Sequence, residues 1–136
     1  MQTQIAIIGA GPAGLMLAHL LHLAGVESVI AEARSREYVE NRVRAGVLEQ
    51  GTVDLLRSTG LGRRMDREGM LHHGIELGFA AKRHRIDFQA LTGNAVMVYA
   101  QHEVVKDLID ARIQANRPIL FDVSNVSLHG LSLIHI

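Results

Sequence analysis

Near its start the chain reads Ile5-Ala6-Ile7-Ile8-Gly9-Ala10-Gly11-Pro12-Ala13-Gly14, and Glu32 closes the next apolar run. Apolar strand, glycine-rich turn, helix, second strand and acid follow in that order. This order commits the opening residues to a parallel β-α-β unit. Thr3 to Ile8 predicts a strand buried on both faces. Gly9 permits a sharp turn, Gly11 leaves the backbone open to a diphosphate, and Gly14 lets the helix lie close on the sheet. Pro12 takes the first helical position, where its missing N–H is no loss.

The free N–H groups of that first turn, with the positive end of the helix dipole, form an anion site. The helix is expected to run to about Ala24 and to stop at Gly25. Leu15, Met16, Leu17, Leu20, Leu21 and Leu23 make it apolar nearly all round, which predicts burial on several sides. Val26 to Ala31 predicts the second strand. Glu32 then emerges at its carboxyl end, where a carboxylate can accept from ribose hydroxyls and repels a phosphate on the same ribose.

The remaining pattern is coarser. Ala33 to Arg44 is polar and carries Arg34, Arg36, Arg42 and Arg44, which predicts a loop. Two arginines in alternate positions, Arg42 and Arg44, suit bidentate contact with a diphosphate, or else a solvated loop. A helix is predicted from about Val47 to Thr59, ended by Gly60, and a charged helical turn from Arg63 to Glu68. Gly74 to Ala80 and Arg83 to Phe88 alternate as a hairpin with its turn near Ala81-Lys82. Val96 to Tyr99 predicts a short strand. Gln101 to Asn116 predicts an amphipathic helix with Val104, Val105, Leu108, Ile109 and Ile113 on one face, ended by Pro118, and Ile119 to Phe121 another strand.

Composition excludes several classes. A formal net charge of zero over 136 residues argues against nucleic-acid binding through a basic face. With no cysteine there is no disulfide, thiol nucleophile or iron–sulfur cluster within the chain. His19 and His22 interrupt the longest apolar run and lack a third metal ligand, and His72-His73 has no ligand spacing, so neither a membrane span nor a metal site is expected. The fingerprint begins just after Met1 with no leader before it, which sets a cytoplasmic expectation. Leu131-Ser132-Leu133-Ile134-His135-Ile136 reads like a translated adapter from DNA library preparation, so native sequence is expected to end near Gly130, in a chain cut short.

The run Asn41-Arg42-Val43-Arg44-Ala45-Gly46-Val47-Leu48-Glu49-Gln50-Gly51, with the fingerprint and Glu32, closely resembles the start of the 4-hydroxybenzoate 3-monooxygenase family of class A FAD-dependent aromatic hydroxylases. The likeness continues through Val53 to Arg57, Gly60, Arg63 to Met65, Gly69, His72, Arg85 to Asp87, Tyr99, Gln101 and Glu103. It implies a Rossmann-like α/β FAD-binding fold with an inserted β-hairpin, represented here by residues 1–130 without the substrate domain. It also implies FAD as cofactor, NADPH or NADH as co-substrate, and hydroxylation of 4-hydroxybenzoate to 3,4-dihydroxybenzoate with O2. A homodimer of the full-length protein is the candidate assembly.

The resemblance also assigns residues. Gly9, Gly11, Pro12, Ala13, Gly14 and Glu32 would hold the ADP half; Ala13 stands where the family often has Ser. Arg42, Val43, Arg44, Ala45, Gly46 and Val47 would wrap the diphosphate and flavin side, and Gln101 would contact FAD. His72 would belong to a proton relay from the substrate phenol. Ala33 and Arg34 replace the family's usual Arg-Gln pair; with Tyr38 they lie where NADPH is distinguished from NADH, and that choice stays open. Two alternatives remain: another FAD-dependent aromatic hydroxylase or an NAD-dependent dehydrogenase, and a catalytically inactive dinucleotide-binding fragment.

Overall fold

The computed structural model describes residues 2–130; the suspected foreign tail, including His135, lies outside the described residues. Strand β1 (Ile5–Ile8) leads through the glycine turn into helix α1 (Pro12–Leu23) and back to β2 (Ser28–Ala31). The two strands pair in parallel, Ile5 opposite Ser28 and Ile8 opposite Ala31. Gly25, at φ +73°, closes the helix as expected. Late in the chain, α6 (Gln101–Gln114) delivers β8 (Ile119–Leu120) to the free side of β2, also in parallel. The sheet order is therefore β1-β2-β8.

The polar segment after Glu32 is not all loop. Residues Arg36–Asn41 form α2, started by Ser35, whose hydroxyl accepts from the Tyr38 N–H at 3.2 Å. The expected helix from Val47 begins later. Val47–Leu48 is strand β3, and the helix is α3 (Gln50–Ser58), followed by α4 (Gly62–Glu68). β3 pairs antiparallel with β7 (Val96–Val98), which also pairs with β4 (Met70–His72), so a small second sheet has the order β3-β7-β4. The hairpin is β5 (Gly74–Phe79) and β6 (Lys82–Asp87), with Phe79 opposite Lys82. Its turn is Ala80-Ala81, one residue earlier than expected, and both alanines have positive φ, as a two-residue hairpin turn requires. Phe88 does not extend the strand; it starts helix α5 (Phe88–Thr92), capped by Asp87.

One core joins these parts. Leu15 and Ala18 of α1, Ile7 and Ile30 of the first sheet, Leu48 and Met97 of the second, and Val104, Val105, Leu108 and Ile109 of α6 are all buried in it. Two expectations fail on burial. Ile8 is 60% exposed and Leu23 57%, so neither β1 nor α1 is covered on all sides within the described residues. On α6, Ile113 is exposed and Arg112 is buried in its place. The Arg112 guanidinium donates to the Ser28 carbonyl at 2.6 Å and to the Pro118 carbonyl at 2.9 Å, tying α6 to the central strand β2 and to the start of β8. Burial, and the positive charge of Arg117, pull Arg112 below the ordinary arginine value. No helix of the described residues is long and apolar enough to cross a membrane.

Candidate cofactor-binding site

The glycine turn is built by two close approaches. Gly9, at φ +106°, donates its N–H to the Ala31 carbonyl at 2.8 Å, so the turn leaves β1 at the carboxyl end of β2. At Gly14 a Cβ would lie 2.3 Å from the Gly9 carbonyl oxygen, so the helix can meet the strand there only without a side chain. Gly11 differs: a Cβ there would meet nothing within 4 Å. The first N–H to find a partner at the helix start is that of Leu15, which donates to the Gly11 carbonyl at 2.9 Å. The Ala13 and Gly14 N–H groups are among those that a helix start leaves free for an anion.

Glu32 sits at the end of β2 with its carboxylate fixed at both oxygens. Oε2 accepts from the Ala10 N–H at 2.7 Å and Oε1 from the Arg34 N–H at 2.8 Å. The Glu32 backbone is held by β8, through its N–H to the Leu120 carbonyl at 2.8 Å and its carbonyl from the Val123 N–H at 2.9 Å. Each carboxylate oxygen retains a further lone pair for an incoming donor such as a ribose hydroxyl.

Gly11, Pro12, Glu32, Arg34, Tyr38, Arg42 and Arg44 line one cleft. The expected residues from three separate stretches of sequence are thus brought together. The Arg34 guanidinium lies 5.4 Å from the Tyr38 ring centre and that of Arg42 lies 5.9 Å from it, both within cation–π range. The electrostatics are one-sided. Arg36, Arg57, Arg64, Arg67, Arg83, Arg85 and Arg117 have carboxylate partners, whereas Arg34, Arg42 and Arg44, like Arg63 and Arg112 outside the cleft, make no ion pair among the described residues. Three uncompensated cations beside free helix-start amides suit a diphosphate, and the lone carboxylate of Glu32 suits the sugar. These donors and acceptors fit the ADP half of a dinucleotide.

Other expected residues fall elsewhere. Gln101 lies outside this cleft, in an adjoining groove with Pro12, Ala13, Val47, Leu48 and Glu49. Ala45 and Gly46 act through their backbone: the Ala45 carbonyl accepts from the Gln101 N–H at 3.0 Å and the Gly46 carbonyl from the Tyr99 N–H at 2.8 Å. Val43 is 78% exposed, and Ala33 is exposed beyond β2. His72, on β4, lines a third cavity with Val47, Glu49, Phe88 and Val98. Pro12 is common to the cleft and the groove, and Val47 and Glu49 are common to the groove and the third cavity. The three cavities therefore adjoin in sequence, from Glu32 past the helix start to His72.

Sequence reasoning missed His102 and Val105 in the cleft and Glu49 and Thr52 in the groove. His102 had one signal, its position directly after Gln101 at the start of α6.

Comparison with known proteins bears on the family and the fold. Over 130 residues the chain is 48% identical to p-hydroxybenzoate hydroxylase of Acinetobacter baylyi, covering 95% of this chain and 32% of that protein. Among solved structures, PqsL of Pseudomonas aeruginosa in complex with 2-aminobenzoylacetate superposes with a TM-score of 0.80 at 20% identity, covering 88% of this chain and 33% of that one. The p-nitrophenol 4-monooxygenase PnpA of Pseudomonas putida DLL-E4 gives a TM-score of 0.77 at 22% identity, covering 91% and 33%. At these identities the two structures speak to the fold. The chain spans about a third of the length of these relatives. The FAD binding domain family matches residues 2–129, from before the first strand to beyond the last, and the chain belongs to that family.

Proposed function

We propose that this chain is the adenine-nucleotide end of the FAD site in a flavoprotein monooxygenase that hydroxylates 4-hydroxybenzoate to 3,4-dihydroxybenzoate with NAD(P)H and O2. The observation that carries the reading is the cleft in which three unpaired arginines face the start of α1 and Glu32. The 48% identity to p-hydroxybenzoate hydroxylase supports the substrate.

In this reading the Ala13 and Gly14 N–H groups, with Arg42 and Arg44, hold the diphosphate. Glu32 holds the adenosine ribose, and Gln101 and Val47 border the flavin side. When bound, FAD supplies electron transfer from the nicotinamide and activation of oxygen. His72 takes a proton from the substrate phenol and passes it outward; it is exposed at one edge and shares its cavity with Val47 and Glu49. Arg34 and Tyr38, exposed at the rim, meet the nicotinamide co-substrate.

The test uses the full-length protein. It is expected to purify yellow and to consume NADPH or NADH faster with 4-hydroxybenzoate, forming 3,4-dihydroxybenzoate. Nicotinamide oxidation indifferent to every phenolic acid tried would discard the substrate. The second reading, a binding module without catalysis, is favoured for the 136 residues alone, because Ile8, Leu17 and Phe79 stay exposed. Those residues are expected to form no product; hydroxylation by the purified fragment would overturn that.

A further inference from the structure

Helix α6 begins without a side-chain cap: its N-cap residue is Ala100, and Gln101 follows at the border of the groove. What holds this entry comes from outside the helix. Arg64, on α4, donates to Glu103 in the first turn of α6 and to Asp107 Oδ1 in the second, the latter at 3.0 Å. Its Nε donates to Glu68 on its own helix at 2.9 Å. The other Asp107 oxygen accepts from the hydroxyl of Tyr99, just before the helix, at 2.7 Å. Tyr99 and Gln101 in turn donate their N–H groups to the Gly46 and Ala45 carbonyls.

Glu103 and Asp107 are four positions apart, so they stand on one face of α6. A planar guanidinium that grips both holds the helix against rotation about its axis. Exposed ion pairs contribute little, but these side chains are only 19% and 15% exposed, the least of any carboxylate paired with an arginine among the described residues. Arg64 itself lines neither the cleft nor the groove, whereas the two turns that it grips carry Gln101 into the groove and His102 and Val105 into the cleft. We propose that Arg64 is a positioning residue for the cofactor. Through Glu103 and Asp107 it sets where the start of α6, with Gln101 and the Ala45–Gly46 backbone, meets the flavin side of the site. This inference rests on the reading of the cleft and groove as the FAD site.

The test uses the full-length protein, stripped of flavin and titrated with FAD by fluorescence, with circular dichroism as the check on folding. Arg64→Lys keeps the charge, but one ammonium cannot grip both carboxylates as the fork does. Arg64→Met removes the grip. Arg57→Met, which breaks the exposed pair with Asp66, is the control for losing a surface arginine. Both Arg64 variants are expected to weaken FAD binding about 5-fold or more, and to change the visible absorption spectrum of the bound flavin at saturation. Arg57→Met is expected to match the parent in both. An unchanged affinity or an unchanged spectrum in Arg64→Lys, whether or not Arg64→Met folds, would overturn the role of Arg64 and leave the FAD site standing. So would equal effects in Arg57→Met. A parent protein that does not bind FAD would overturn both.

Discussion

Ala10 and Glu32 are 22 positions apart, and the backbone N–H of the first donates to the carboxylate of the second at 2.7 Å. This bond joins the glycine turn to the end of β2, so the helix start and the Glu32 carboxylate are held together. Ala10 is fully buried, and the Glu32 carboxylate is the partner of its N–H.

Glu32 therefore has a structural role beside its proposed binding one, and two substitutions separate them. Glu32→Ala leaves the Ala10 N–H unpaired and is expected to cost about 1–3 kcal/mol in urea denaturation. Glu32→Gln keeps one acceptor and most of the stability. It is expected to weaken FAD binding about 10-fold, because its amide cannot accept from Ala10, Arg34 and the sugar together. Undiminished FAD affinity in Glu32→Gln would remove the ribose assignment.

Gly14 and Gly11 are expected to respond oppositely to alanine. At Gly14 the new Cβ would lie 2.3 Å from the Gly9 carbonyl, and backbone cannot yield easily, so Gly14→Ala is expected to lose about 2–3 kcal/mol of stability. At Gly11 the space is empty, so Gly11→Ala is expected to fold within about 0.5 kcal/mol of the parent. Its FAD affinity should fall, because the methyl group occupies the approach to the helix start. Thermal melts with and without FAD distinguish the two; a Gly11→Ala protein that binds FAD normally would place the diphosphate elsewhere.

Tyr99 supplies a pH signature. It is buried, and its hydroxyl donates to Asp107 Oδ2 at 2.7 Å, while Arg64 donates to the other oxygen of Asp107 at 3.0 Å. Burial first, then the bond to Asp107, raise the phenol above its ordinary 10.0. The folded protein thus keeps a proton that the unfolded chain gives up. This stabilisation is complete below the unfolded value and is lost as pH rises through the folded one. Tyr99→Phe is expected to cost about 1.5 kcal/mol at pH 7. Between about pH 10 and 11.5 the parent should lose stability more steeply than the variant. Parallel stability–pH curves would show that the phenol is not held this way.

Arg112 is a buried cation with carbonyl rather than carboxylate partners. Arg112→Met fills similar volume but leaves the Ser28 and Pro118 carbonyls without that donor. It is expected to lower stability by about 2–3 kcal/mol, read by chemical denaturation. Arg112→Lys should recover part of the loss, since an ammonium reaches fewer acceptors than the guanidinium fork. A fully stable Met variant would show that the clamp contributes nothing.

The structure departs from the sequence pattern where short-range signals compete. Val47-Leu48 fits the start of an apolar helix as well as a strand, and pairing with Val98 and Met97 decides for the strand. Helix α2 has no apolar stripe to reveal it; it has the Ser35 cap and a single apolar anchor, Val39, packed against the core. On α6 the pattern favours burying Ile113, but two backbone carbonyls need a donor and the helix turns Arg112 inward instead.

The opening motif by itself determined the parallel β-α-β unit, the free amides at the helix start and the placement of Glu32, because those features depend on neighbours close along the chain and on glycine where a Cβ cannot fit. Tertiary structure alone decided which arginines stay unpaired, that β8 pins the Glu32 backbone, and that His102 reaches the same cleft. These depend on residues far apart along the chain coming together, such as Glu32 bonded to Leu120 and His102 lining one cleft with Pro12, and a local pattern carries no information about which distant groups will meet.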